Sequence, residues 1–173
     1  SLTTTLRSSS NYYKELLSGD IEDYAIYIDS PFDTHKRLVS ICRDVSSKYT
    51  RRNENEYIRM LNIIREVVGG CAGNYMVFFP SYKMLEEVYA VYEEEYSVNW
   101  VKCICQNSSM KEQEREEFLQ EFEQNQESLV AFCIMGGIFS EGIDLLGEKL
   151  IGAILVGTGL PQLGNEREIL RSF

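Results

Sequence analysis

The sequence predicts an α/β fold: an open, mostly parallel sheet with helices on both faces. Strand-like and helical segments alternate along the chain, which is the first observation behind this prediction. The second is YMVFFP, residues 75–80, a continuous apolar run ended by proline and typical of a central parallel strand. The third is connection length, since the segments between strands are long enough for right-handed crossovers.

Further strands are predicted where runs rich in Val, Ile, Tyr and Cys are bounded by turn residues. In chain order these are residues 24–29, 37–42, 100–105, 129–135 and 151–157. Ligands of open parallel sheets bind beyond the carboxyl ends of the strands. We therefore expect functional residues in the loops after Phe79, Met135 and Val156.

Three helices are predicted between these strands. Asn53 and Glu56 have capping-box spacing and open the first helix, which Gly69 and Gly70 are expected to end. Ser109, three residues before a glutamate, is expected to cap the third. The side chains expected to face the core are Tyr57, Met60, Leu61, Ile64, Val67 and Val68 in the first helix, Leu85, Val88, Tyr89 and Tyr92 in the second, and Phe118, Leu119 and Phe122 in the third. A short helix is predicted from about Gly164 to the end of the chain.

Length and composition indicate one compact domain. The chain has 173 residues, and no apolar run approaches the 18 or so that a membrane-spanning helix needs. No signal peptide precedes the first strand, so a cytoplasmic location is predicted. The five cysteines include only a C-x-C pair, so buried free thiols are a better interpretation than a metal site. An odd count also fits a reducing compartment.

The net charge of −10 argues against an open surface that coats DNA without specificity. A narrow nucleic-acid track stays compatible with it, because the charge near the track is what matters. A solvated face is the preferred interpretation of the main basic concentration on charge alone. That concentration comprises Lys36, Arg37, Arg43, Lys48, Arg51 and Arg52.

The segment GGIFSEGID, residues 136–144, is the strongest candidate site. Gly136 and Gly137 allow a ligand to approach the backbone closely. Ser140 and neighbouring backbone N–H groups can donate to phosphate oxygens. Gly142 permits a sharp turn, and Asp144 can accept from a ribose hydroxyl or pair with an arginine. The alternative is a wide turn in which the glycines serve sterics only.

The other two loops carry weaker signals. Ser81 can cap a helix whose free N–H groups face an anion, and Tyr82 can stack on a base. On these residues alone, a plain cap and a packed tyrosine are the preferred interpretation of that pair. Gly157, Gly159 and Pro161 form a rigid turn after the last strand, more typical of a connector than of a catalytic loop.

Several catalytic signatures are absent from the sequence. It contains neither a G-x-x-x-x-G-K-[ST] phosphate loop nor a G-x-G-x-x-G motif. The single histidine, His35, has no evident serine or cysteine partner, so a hydrolase triad is not expected. We therefore expect no catalytic residue here, no metal ligand, and no reaction completed by this chain alone.

Four segments in one order resemble the second helicase domain of the DinG/XPD-like branch of superfamily 2 DNA helicases. They are SPFDTHKRLVSICRDVSSKYTRR (30–52), VFFPSYKMLEEV (77–88), GGIFSEGIDLLGEKLIGAILVG (136–157) and GLPQLGNEREILRSF (159–173). The resemblance covers essentially the whole chain and implies a RecA-like fold. It also implies one motor domain over residues 1–173, cut before helicase motif VI, with residues 1–20 as a remnant of the inter-domain connection.

The resemblance assigns roles to individual residues. FFPSY is similar to helicase motif IV and GGIFSEGID to motif V, in a family whose two motor domains sandwich ATP while single-stranded DNA crosses both. The implied DNA contacts are Ser81, Tyr82, Gly137 and Ser140, and the implied residues of the nucleotide cleft and its coupling to DNA are Glu141, Gly142 and Asp144.

ATP and Mg²⁺ are the cofactors implied, bound mainly by the first motor domain of the same protein. The iron–sulfur cluster of some relatives lies in that domain too, and the cysteines here match no part of it. The expected function is therefore the second motor domain of an ATP-dependent DNA helicase, with single-stranded DNA and the first domain as partners and no membrane. The run VGTGLPQL departs from the PFPPP run of many members, which leaves the subfamily open. A noncatalytic helicase-like interaction module and a nucleotide-binding enzyme unrelated to DNA are the alternatives.

Overall fold

The computed structural model describes residues 33–97, 101–124, 127–140, 143–145 and 147–158, with the single residues Lys14 and Tyr24. The chain divides into two compact units, Ser1–Cys42 and Arg43–Phe173. In the first unit, a 3₁₀ turn at Thr34–Lys36 begins where the Asp33 carboxylate accepts a hydrogen bond from the His35 N–H, at 2.9 Å. The remaining elements belong to the second unit.

In the part of the second unit that the structure describes, four parallel strands form one sheet. They are β1 (Asn74–Phe79), β2 (Lys102–Cys105), β3 (Leu129–Ile134) and β4 (Gly152–Leu155). Their spatial order is β2-β3-β1-β4, and β1 pairs with β3 from Asn74 opposite Leu129 to Phe79 opposite Ile134. The predicted central strand therefore does lie inside the sheet, as its unbroken apolar run requires.

Among the described residues, three α-helices cover the sheet: α1 (Glu54–Gly70), α2 (Tyr82–Glu95) and α3 (Glu112–Gln124). Successive side chains of a strand point to opposite faces. Val77 and Phe79 of β1 accordingly share one core cluster with α1 and α2. Met76 shares the other cluster with Phe118 and Phe122 of α3. The predicted α/β class with helices on both faces is confirmed.

The start of α1 is as predicted, and its end is not. The Asn53 side chain accepts a hydrogen bond from the Glu56 N–H at 3.0 Å. The helix runs through both Gly69 and Gly70, because neither adopts the left-handed backbone that ends a helix at glycine. Val67 was expected to be buried and is 45% exposed, whereas the other five predicted core residues of α1 are buried. Its position places it at the margin of the face that meets the sheet.

The predicted cap of α3 is wrong. The helix begins at Glu112, and the N–H and hydroxyl of Ser109 both bond instead to the side-chain oxygen of Asn107, at 2.9 and 3.0 Å. The Lys111 N–H donates to the Glu114 carboxylate at 2.6 Å, so an acidic side chain of the first turn provides a partner for a backbone N–H at the start of the helix. Asn107 bonds to Ser109 in place of the helix, because short polar side chains readily form hydrogen bonds with groups in adjacent turns.

The strand predicted at residues 37–42 is also wrong. These residues form no ladder with any described strand. A strand requires hydrogen bonds from a neighbouring chain segment, and β-rich composition alone does not provide that neighbour. The predicted strand at 24–29 (apart from Tyr24), the helix from about Gly164, and the 1–20 connection (apart from Lys14) lie outside the described residues.

Candidate functional site

The carboxyl ends of all four strands lie at one edge of the sheet because the strands are parallel. Main-chain hydrogen bonds continue past the strand ends and hold the first loop residues in register. Met135 N–H donates to the Phe79 carbonyl at 2.9 Å, and Gln106 N–H donates to the Phe132 carbonyl at 2.8 Å. The loops after β1, β2 and β3 therefore leave the sheet side by side.

The loop after β1 leads directly into α2. The Ser81 side chain accepts a hydrogen bond from the Met84 N–H at 3.4 Å, so the predicted N-cap is confirmed. Tyr82 is the first residue of the helix, and its half-buried ring packs on the core cluster beneath α2. The predicted packed tyrosine is thus present, and its hydroxyl also reaches the neighbouring loop, as described below.

The loop after β3, residues 135–140, is folded on itself; we call it the β3 loop. The Ile134 carbonyl accepts two hydrogen bonds, from the Gly137 N–H at 3.1 Å and from the Ser140 hydroxyl at 2.9 Å. Gly136 has a φ of +71°, a backbone conformation that favours glycine. Phe139 is buried and stacks on Phe118 of α3, with ring centroids 4.4 Å apart. The Phe139 side chain thus anchors the β3 loop on the face of the sheet that α3 covers.

Hydrogen-bond donors of the β3 loop divide into used and unused groups. The Ser140 hydroxyl proton is engaged by Ile134 inside the loop. Within the part of the chain that the structure describes, the N–H groups of Gly136 and Ile138 have no hydrogen-bond partner. Both residues are exposed. Backbone N–H groups, more than the serine hydroxyl, are therefore the available donors for an anion here.

Gln106, the first residue after β2, connects the start of α2 to the end of β3, and the sequence analysis missed it. Its side-chain nitrogen donates to the Tyr82 hydroxyl at 2.9 Å, and its side-chain oxygen accepts from the Ile134 N–H at 2.9 Å. The residue is 2% exposed. One signal could have found it, because a polar residue directly after a predicted strand of a parallel sheet lies at the ligand-binding edge.

The residues expected to couple DNA to the nucleotide are less defined. Asp144 is exposed, between Ile143 and Leu145, which pack against the core cluster under α3. Among the described residues, no hydrogen bond or ion pair joins Asp144 to Tyr82 or to the β3 loop. Glu141 and Gly142 lie outside the described residues. The structure therefore links Tyr82, Gly137 and Ser140 through Gln106 and Ile134, and it shows no bond between them and Asp144 among the described residues.

The basic segment before α1 meets the end of β4. Gly157 has a φ of +88°, and a Cβ added there would lie 2.3 Å from the Ser47 hydroxyl oxygen. Arg52 donates to the Ser47 carbonyl at 3.1 Å. Arg51 pairs with the buried carboxylate of Glu56 at 3.5 Å. These arginines help to hold the segment on α1, and the Arg51 side chain is 54% exposed, which agrees with a largely solvated face.

All five cysteines are free thiols. Burial raises the pKa of Cys103, Cys105 and Cys133 to about 12, so these thiols stay protonated near neutral pH. Cys42 and Cys71, by contrast, are exposed, contrary to the expectation of buried thiols. No group of three or more His, Cys, Asp or Glu side chains in the described part of the chain could hold a metal ion. No described helix is both long and apolar enough to cross a membrane.

Comparison with known families supplies the assignment. Residues 64–172 match the model of the helicase C-terminal domain. The chain belongs to the helicase C-terminal domain family. The matched region runs from α1 through the β3 loop and β4, so it contains the whole carboxyl edge of the sheet. The predicted resemblance to the second, C-terminal domain of helicases is thereby confirmed.

Individual proteins agree with this family. The chain is 25% identical over 140 residues to a probable ATP-dependent helicase of Methanocaldococcus jannaschii, covering 79% of this chain and 20% of that protein. It is 27% identical over 129 residues to an ATP-dependent DNA helicase of Debaryomyces hansenii, covering 69% of this chain and 16% of that protein. The chain thus spans a fifth or less of the length of these relatives.

The fold is similar to solved structures of XPD. A structure of XPD helicase superposes with a TM-score of 0.59 at 21% identity, covering 75% of this chain and 22% of that one. A structure of XPD in its apo form gives a TM-score of 0.58 at 20% identity, covering 75% of this chain and 25% of that one. At this identity the likeness concerns the fold alone.

Proposed function

We propose that this helicase C-terminal domain is the second motor domain of an ATP-dependent DNA helicase. In the intact protein it contacts single-stranded DNA, forms one wall of the ATP cleft and couples ATP hydrolysis to translocation. Family membership supports the motor assignment, and the relative from Debaryomyces hansenii is named an ATP-dependent DNA helicase. The observation that carries the DNA role is the meeting of two helicase-like segments at the carboxyl edge of the sheet, where Gln106 bonds to Tyr82 and to Ile134, the residue before the β3 loop.

The chemistry of this edge suits a single strand. The N–H groups of Gly136 and Ile138 lack partners in the described part of the chain, so they are free to donate to phosphate oxygens. The Tyr82 ring offers a flat surface on which a base can stack without sequence preference. Ser81, Gly137 and Ser140 shape the two loops. A chain with a net charge of −10 then binds through local donors instead of a broad basic surface.

ATP and Mg²⁺ are assigned mainly to the first motor domain of the same protein. The present sequence contains no phosphate-binding loop. Its described residues also include no acidic cluster able to hold a metal ion. Glu141, Gly142 and Asp144 are proposed to act at the cleft by linking the β3 loop to the nucleotide. The cytoplasmic location predicted from the sequence is likewise a proposal.

The test is ATP hydrolysis by the intact protein, with and without oligo(dT) as the single strand. Strong stimulation by oligo(dT), and weaker stimulation by blunt duplex DNA, is the expected result. A folded protein that hydrolyses no ATP would overturn the motor assignment and favour the noncatalytic interaction module. Hydrolysis that no nucleic acid alters would instead exclude the coupling role of the carboxyl edge.

A further inference from the structure

We propose that Gln106 is a positioning residue that locks Tyr82 to the β3 loop and thereby sets the affinity of the protein for single-stranded nucleic acid. This inference rests on the proposed function and adds a residue that the helicase-like motifs do not include. Gln106 follows β2, whereas Tyr82 begins α2 after β1, and Ile134 is the last residue of β3, directly before the β3 loop. Gln106 is the described side chain that bonds to both of these residues.

The orientation of the Gln106 amide follows from its partners. Its oxygen faces a donor, the Ile134 N–H, and the 2.9 Å distance is that of a normal hydrogen bond. Its nitrogen consequently faces the Tyr82 hydroxyl oxygen, also at 2.9 Å. A carboxamide supplies both the acceptor and the donor that these positions require. Burial strengthens the arrangement, because an unpartnered amide with 2% exposure would be costly.

Sheet pairing explains only one of the two hydrogen bonds of the Gln106 amide, the one that its oxygen accepts. Strand β2 pairs with β3 as far as Cys105 opposite Phe132, so no β2 carbonyl reaches the Ile134 N–H. The Gln106 oxygen replaces that missing strand partner. The Gln106 nitrogen replaces no strand partner. It donates to the hydroxyl of Tyr82, which begins α2 at the carboxyl edge of the sheet. The donor half of the amide therefore points to a role beyond sheet pairing.

The β3 loop lies directly against the same amide. A Cβ added to Gly137 would be 3.2 Å from the Gln106 side-chain nitrogen and 3.1 Å from the Ile134 carbonyl oxygen. The lack of a side chain at Gly137 thus lets the loop close over the amide. A shift of the Tyr82 ring and a shift of the loop backbone are consequently linked through one buried group. Preorganisation of this kind raises affinity by lowering the ordering cost of binding.

The experiment measures the affinity of the intact protein for fluorescein-labelled oligo(dT) by anisotropy. It compares Gln106→Met, Tyr82→Phe and the double variant. Tyr82→Phe keeps the stacking ring and removes only the acceptor of the glutamine. Each single variant is expected to weaken binding about three- to tenfold. Because both interrupt one link, the double variant should bind no more weakly than Gln106→Met alone.

Tyr96→Phe is the matched control, because it removes a hydroxyl that bonds to Asn62 at 3.0 Å beyond the other end of α2. It should bind oligo(dT) as the unaltered protein does. Wild-type affinity in Tyr82→Phe, or losses that add in the double variant, would overturn the inference. Should Gln106→Met fail to fold, the Tyr82→Phe result decides alone. An unaltered protein that does not bind oligo(dT) would overturn the proposed function and this inference together, and no variant is needed to see it.

Discussion

The hydroxyl of Ser140 donates a hydrogen bond to the main-chain carbonyl of Ile134 at 2.9 Å. That bond closes the β3 loop on the end of its own strand. We predict that Ser140→Ala weakens oligo(dT) binding several-fold, because the loop loses a constraint on its binding conformation. The slope of affinity against salt concentration should not change, since a neutral hydroxyl releases no counterion.

Anisotropy titrations of the intact protein at several KCl concentrations test this prediction. Ser109→Ala is the control, because Ser109 lies in an exposed turn and bonds only to Asn107 among the described residues. Equal affinities for Ser140→Ala and the unaltered protein would exclude a binding role for this serine.

Gly137→Ala is expected to reduce oligo(dT) affinity and the stimulation of ATP hydrolysis together. The added methyl would press on the Gln106 amide at 3.2 Å and on the Ile134 carbonyl at 3.1 Å, so the loop must move outward. Gly69→Ala is the control, since a Cβ there meets nothing within 4 Å. Because Gly69 lies in a helix, its replacement by alanine should stabilise the folded domain by about 0.5–1 kcal/mol. Unaltered binding by Gly137→Ala would show that the loop tolerates the displacement.

Asp144→Ala should separate binding from hydrolysis. The carboxylate is exposed and has no described bond to the Tyr82 and Gly137 region. We therefore expect normal oligo(dT) affinity and a loss of oligo(dT)-stimulated ATP hydrolysis, measured with a coupled phosphate-release assay. Glu148→Ala, another exposed acidic change on the same connection, should keep the stimulation. Normal stimulation in Asp144→Ala would reject the coupling role.

Gly152→Ala should destabilise the domain without touching the carboxyl edge. A Cβ at Gly152 would lie 2.6 Å from the ring of Tyr75, its partner on β1. Overpacking of this kind costs about 1–3 kcal/mol. Thermal unfolding should detect a lower midpoint, with Gly69→Ala again as the control. A midpoint equal to that of the unaltered protein would mean that the Tyr75 ring moves aside freely.

The buried thiols should react with iodoacetamide far more slowly than the two exposed ones, Cys42 and Cys71. Alkylation requires the thiolate, and burial raises the pKa of Cys133 from 9.0 to about 12. A raised pKa means that the folded protein holds the proton, so labelling of Cys133 should stay slow at pH 9 and increase only as the pH approaches 12. The same shift makes the unfolded state, which ionises first, more favourable above pH 9.

Peptide mass spectrometry after timed alkylation at pH 7.5, 8.5 and 9.5 measures these rates. Cys71 is the internal control, because it is exposed and should be labelled readily. In denaturant, Cys133 and Cys71 should react alike. Rapid labelling of Cys133 in the folded protein at pH 8.5 would contradict its burial.

Much of the fold could be predicted because it depends on neighbours in sequence. The cap at Asn53 needs only an N–H donor three residues later, and an unbroken apolar run is enough to indicate the central strand β1. The same holds for Ser81, which caps α2 from the position that the sequence indicates. The loops after β1, β3 and β4 were also predicted to follow parallel strands, and the sheet does bring these strand ends to one edge. Four predictions were wrong: the burial of Val67, the end of α1 at its glycines, the serine cap of α3 and the strand at 37–42. Each depends on contacts with residues that the local sequence pattern does not reveal.

The amino-acid sequence by itself determined the class of the fold and the order of its elements from α1 to β4, since these follow from periodicity and caps read along the chain. Four of its segments also carried the resemblance to helicases. Tertiary structure alone decided how the site is assembled. Gln106 bonds to Tyr82, 24 positions earlier, and to Ile134, 28 positions later. Those bonds exist because parallel pairing brings three strand ends to one edge of the sheet, where a buried amide must find its donor and its acceptor among residues that are distant in sequence.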